Sequence, residues 1–120
     1  MEESTQNKEM DMSEAAMQII IHAGDARLYT MEAIDAMGDE DFGKAREQLK
    51  LATEKLKAAH IVHTKAIQDE ARGVALPYSL LFTHAQDTLM TIKSELLLAE
   101  HLLGVFEKLN NRLDESKNHG

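Results

Sequence analysis

Residues 77–106, PYSLLFTHAQDTLMTIKSELLLAEHLLGVF, decide the fold. Ala85, Leu89, Ile92, Leu96, Ala99, Leu103 and Phe106 recur in alternating steps of four and three, which puts them on one stripe of an α-helix. The chain's one proline, Pro77, suits the first position of that helix, where its missing N–H would find no intrahelical acceptor anyway. A second apolar set, Met90, Leu97, Leu98, Leu102 and Val105, lies off the stripe and makes this helix apolar nearly all round. Such a helix must be covered on two sides.

Working outward, the same periodicity defines two more helices. Segment two, Asp41–Ala71, carries Phe42, Ala45, Leu49, Ala52, Leu56, Ala59 and His63 at the same alternating spacing. Segment one, Ser13–Met37, carries Met17, Ile20, Gly24, Leu28, Met31 and Ile34, with Ser13 as a candidate N-cap. The turn formers cluster in GDED (38–41) and RGVALP (72–77), so the connections are short. Strand signals are lacking: aromatics are 4% and no β-branched run alternates with polar residues. Helices of roughly 40 to 55 Å with single apolar stripes are unstable alone. The expected fold is therefore all-α, an antiparallel three-helix up-down-up bundle with a coiled-coil-like core, occupying residues 13–113. Residues 1–12 and 114–120 show no apolar periodicity and read as mobile tails. Two neighbours cannot cover both faces of the third helix, so the sequence predicts an oligomer in which third helices meet at the symmetry axis.

Composition narrows the function. The 120 residues suffice for one domain with a modest core, and the absence of cysteine rules out disulfides and thiolate chemistry on this chain. A formal net charge of −8 repels a phosphate backbone, which argues against nucleic-acid binding. The first residues, MEESTQNKEMDM, are polar and acidic, and no window approaches 18 uninterrupted apolar residues. A soluble, cytoplasmic protein without membrane insertion is expected.

Within the third segment, His84 and Asp87 lie three residues apart, about 60° from each other around the helix axis and off the leucine positions. Two readings fit. In one, polar groups simply face solvent near a helix start, where Asp87 favours the positive end of the dipole. In the other, His84 is a nucleophile: an imidazole with a pKa near 6.5 is mostly neutral at pH 7, so a ring nitrogen can attack phosphorus without a general base.

The string HAQDTLM (84–90), together with AGDAR (23–27), DFGKA (41–45), AAHIVHT (58–64) and YSLLFTHAQD (78–87), resembles the lactose/cellobiose-specific enzyme IIA family of the bacterial phosphotransferase system. The resemblance covers about residues 13–112. It implies a three-helix protomer that assembles as a homotrimer. It implies that His84 accepts a phosphoryl group from the histidine phosphocarrier protein and passes it to a cysteine of the IIB component, which phosphorylates an incoming disaccharide of lactose, cellobiose or chitobiose type. It also implies that Asp87 binds a Mg²⁺ ion shared by three chains, one ion per trimer. Three converging carboxylates would repel one another, and a hard divalent cation with oxygen ligands would relieve this. The sequence departs from the family at Thr88, where many members have a second histidine, so any bond to the His84 ring from this position would come from the threonine hydroxyl. It departs again at GDEDF, where relatives commonly read GDF, which predicts a longer first turn.

The remaining features carry less. His60 and His63 could form half a metal site, but no third ligand is near them in sequence, and polar contacts between helices explain them as well. His22, His101 and His119 show no partner pattern. Gly24 costs about 1 kcal/mol relative to Ala inside a helix, which suggests the close approach of another backbone or ordinary packing. Of seven methionines, those in the N-terminal stretch belong to the tail and the others to packing positions. Two other classes compete with the carrier reading. A histidine phosphotransfer domain of a two-component pathway would usually show His-Leu-Lys-Gly where HAQD stands. A non-catalytic helical adaptor would account for the acidic surface and heptads without any reactive residue.

Overall fold

A computed structural model describes residues 2–73 and 79–119, with side chains over residues 12–73 and 79–118. Three helices make up the fold: α1 (Glu2–Gly38), α2 (Phe42–Ala71) and α3 (Leu80–His119). No strand occurs among the described residues. The helices pack into a rod of 76 × 20 × 19 Å. Arg46 of α2 pairs with Glu107 of α3, and His63 of α2 with Gln86 of α3, so ascending positions on one helix meet descending positions on the other.

Two of the three expected stripes supply the observed core over most of their length, with Phe42, His63 and Leu103 half-buried at their ends and Phe106 exposed. Ala45, Leu49, Ala52, Leu56 and Ala59 of α2 are buried, as are Ala85, Leu89, Ile92, Leu96 and Ala99 of α3. The stripe expected on α1 is displaced around the helix. Met17, Leu28 and Met31 are exposed at 46%, 58% and 42%, and Ile20 and Ile34 lie half-buried at the margin. The buried line is instead Met12, Ala16, Ile19, Ala23, Ala26, Thr30, Ala33 and Met37. Alanines contribute to the buried line of all three helices, and small side chains at a helix contact permit closer axial approach than large ones. Thr30 is tolerated in this line because its hydroxyl donates to the Ala26 carbonyl at 2.7 Å.

The helices also run further than their apolar stripes. Residues 2–12 and 114–119, read from sequence as tails, continue α1 and α3. Met12 is buried, so the core begins inside the first of these stretches. Neither stretch contains proline or glycine, and their Glu, Gln, Lys and Met residues sustain a helix with little or no apolar stripe once it is nucleated elsewhere.

Between α1 and α2, Asp41 N–H donates to Ala36 O at 2.9 Å and Glu40 N–H to Met37 O at 3.1 Å, the paired bonds of a Schellman motif. Glu40 holds the left-handed position, φ 61°. Asp41 then caps α2, its Oδ1 accepting from Lys44 N–H at 3.1 Å. At the far end of α2, Gly73 has φ +87°, the conformation that a residue without Cβ adopts at least cost. The close-approach reading of Gly24 does not hold within the chain: a Cβ built there meets nothing within 4 Å.

Candidate functional site

The start of α3 differs from its sequence reading. Ser79 Oγ accepts from Phe82 N–H at 3.1 Å and the Ser79 carbonyl accepts from Thr83 N–H at 3.1 Å, so Ser79 is the cap and Leu80 the first helical residue. Pro77 lies outside the described residues. From this cap, Ala85 and Leu89 turn into the core and anchor the second and third turns. His84 and Asp87 are thereby carried on the outward side, both exposed. The Thr88 hydroxyl donates to the His84 main-chain carbonyl at 2.9 Å rather than to the ring, and Thr91 donates to the Asp87 carbonyl at 2.8 Å in the same way.

The face of α3 toward α2 carries a different set. His63 Nε2–H donates to Gln86 Oε1 at 2.8 Å. Its ring lies 6.1 Å from that of Phe82 with an interplanar angle of 11°, and 6.3 Å from that of His60. His63 is thus an interhelical polar contact, as the second reading of the His60/His63 pair has it. Nothing in the sequence spacing links His63 to Gln86, 23 positions away. Among the described residues no group of three or more His, Asp or Glu side chains could hold a metal ion, and one chain offers Asp87 as a single exposed carboxylate. No helix among the described residues is long and apolar enough to cross a membrane.

Residues 14–107, which include all of α2, most of α3 and the exposed His84 and Asp87, match the family model described as the lactose/cellobiose-specific IIA subunit of the PTS system. The chain belongs to this IIA family. The lichenan-specific phosphotransferase enzyme IIA component of Bacillus subtilis (strain 168) is 37% identical over 102 residues, which cover 85% of this chain and 93% of the relative. The crystal structure of the cellobiose-specific enzyme IIA from Bacillus anthracis superposes with a TM-score of 0.78 at 34% identity, covering 82% of this chain and 90% of that one. The IIA(chitobiose)–HPr complex of the N,N′-diacetylchitobiose branch of the Escherichia coli phosphotransferase system, solved in solution, gives 0.72 at 32% identity, covering 82% and 96%. IIA components are phosphotransferase-system proteins, and membership displaces the adaptor and two-component readings.

Proposed function

We propose that this IIA protein is a phosphoryl carrier in the uptake of a disaccharide of lactose, cellobiose or chitobiose type, with His84 as the acceptor. The observation that carries the reading is the exposure of His84 on the capped start of α3, in a chain whose fold matches an IIA solved with the phosphocarrier HPr. A neutral imidazole nitrogen of His84 attacks phosphorus; an N–P bond forms on His84 as the N–P bond on the phosphocarrier breaks, returning that carrier unphosphorylated. The second step forms S–P on a IIB cysteine and breaks N–P on His84. This chain has no cysteine of its own, so the relay continues on another protein. With a net charge of −8, the encounter with a basic partner surface is favoured electrostatically and weakens with salt.

The assembly belongs to the same reading. An up-down-up protomer accords with the reversed order of α2–α3 contacts. Met90, Leu97, Leu98 and Val105 of α3 are 41%, 49%, 61% and 50% exposed in the single chain, a seam that a homotrimer with third helices at its axis would cover. Asp87 lies on that helix and is a hard oxygen donor, so three copies suit a shared Mg²⁺, which would neutralise their mutual repulsion. A cytoplasmic location follows from the relay.

Incubation with phosphoenolpyruvate, enzyme I and the phosphocarrier tests the reading. Acid-labile, alkali-stable phosphate is expected on the wild-type chain and none on His84→Ala; label that survives the substitution refutes the assignment.

A further inference from the structure

Phe82 and Gln86 are four residues apart and so stack on one face of α3, while His84, midway between them, points about 200° away at 100° per residue. Both flanking side chains are held by one residue of α2: the His63 ring stacks on Phe82 at 6.1 Å and its Nε2–H donates to Gln86 Oε1 at 2.8 Å. An amide oxygen only accepts, so the bond fixes the proton on Nε2. Helix ends fray, and α3 begins at Leu80, only four residues before His84. The rotation and order of these first turns set where the exposed His84 side chain starts from and so limit the directions its ring can take.

We infer that His63 is a positioning residue for His84: by gripping Phe82 and Gln86 on the opposite face, it sets the rotation of the first turns of α3 and hence the direction of the acceptor nitrogen. The inference rests on His84 being the phosphoryl acceptor, and its structural half can be read without phosphate. In-line attack needs the reacting atoms at about 3–3.5 Å and aligned, and a displacement of about 1 Å can cost up to about a hundredfold in rate. His63 touches neither phosphorus nor His84, so its loss should slow transfer without lowering the final phosphate content.

The test compares full-length wild type, His63→Ala, His63→Gln and, as a control, Arg27→Ala, which cuts an ion pair between α1 and α3 with no part in the His63 contacts. Amide hydrogen exchange over residues 82–87 and single-turnover transfer from the phosphorylated phosphocarrier are measured on each. His63→Ala should speed exchange at these amides about tenfold relative to those of residues 92–96 and slow transfer at saturating phosphocarrier by a similar factor, with the end-point phosphate unchanged. His63→Gln, whose amide N–H can reach Gln86 Oε1, should restore most of both, and Arg27→Ala should change neither. The inference is overturned if His63→Ala leaves exchange untouched, if His63→Gln is as slow as His63→Ala, or if Arg27→Ala slows transfer equally. Should wild type take no phosphate, the carrier reading falls, and exchange alone decides the positioning. If His63→Ala does not fold, Gln86→Ala removes the same hydrogen bond from α3 and carries the same expectations.

Discussion

Arg27 of α1 and Glu95 of α3 meet through two near-parallel hydrogen bonds, Nε–H to Oε1 at 2.8 Å and Nη2–H to Oε2 at 3.1 Å. The hydrogen bond to Glu95 holds the Arg27 guanidinium above its ordinary value, against an opposing desolvation and with a smaller Coulombic contribution from the same carboxylate. A raised pKa stabilises the fold fully below the ordinary arginine value and is lost only above it, so Arg27 does not make stability vary at working pH. The side chains are 44% and 32% exposed, which limits the pair to about 0.5–1 kcal/mol after screening. A double-mutant cycle of Arg27→Ala and Glu95→Ala by urea unfolding should return a coupling of that size that shrinks in about 1 M salt.

The left-handed Glu40, φ 61°, is a site for stabilisation. A side chain costs about 1–2 kcal/mol in this region, partly offset by the greater unfolded-state entropy of glycine. Glu40→Gly should therefore raise stability by about 0.5–1 kcal/mol in thermal unfolding. An unchanged or lowered midpoint would mean that the turn does not constrain the Glu40 backbone as described.

Gly24 separates two explanations. Its surroundings within the chain are empty, so Gly24→Ala should stabilise the isolated chain by about 1 kcal/mol, or about 4 °C. If another chain or the phosphocarrier abuts this position, the same substitution should weaken that association. Sedimentation and transfer kinetics on the one variant distinguish the cases.

Leu89 and Leu98 of α3 provide a contrast between folding and assembly. Leu89 is fully buried and Leu98 is 61% exposed. Leu89→Ala should cost about 2–5 kcal/mol of unfolding free energy. Leu98→Asp should leave helicity intact while converting the expected trimer to smaller species in sedimentation equilibrium; a variant that remains trimeric would remove α3 from the interface.

Asp87 tests the shared cation. At an effective dielectric near 20, carboxylates about 6 Å apart repel by about 3 kcal/mol per pair, so removing Mg²⁺ from a trimer should lower its thermal midpoint. Asp87→Leu should bind no Mg²⁺ and respond to neither chelator nor added metal. Wild type carrying no ion per three chains, or a variant matching it in metal content, would return Asp87 to an ordinary solvent-facing role.

The stripes of α2 and α3 were legible because an alternating line in steps of four and three runs unbroken along each helix, even though α3 carries a second apolar set beside it. On α1 two lines compete: Met17, Leu28 and Met31 outweigh Ala16, Ala23 and Ala26 in hydrophobicity, yet the alanines face inward. That choice depends on how closely α2 and α3 approach, which the local pattern of α1 does not contain. The extent of α1 and α3 went unread for a related reason, since propensity and continuity with a packed segment extend a helix without periodicity. His84 and Asp87 were legible as neighbours within one turn and as part of HAQDTLM, because both spacing and motif are local. The grip of His63 on Phe82 and Gln86 was not. A hydrogen bond between residues 23 positions apart exists only once two helices are docked in register, and that docking is driven by burial of the apolar residues of both helices, Leu49, Leu56, Leu89 and Ile92 among them, not by either histidine.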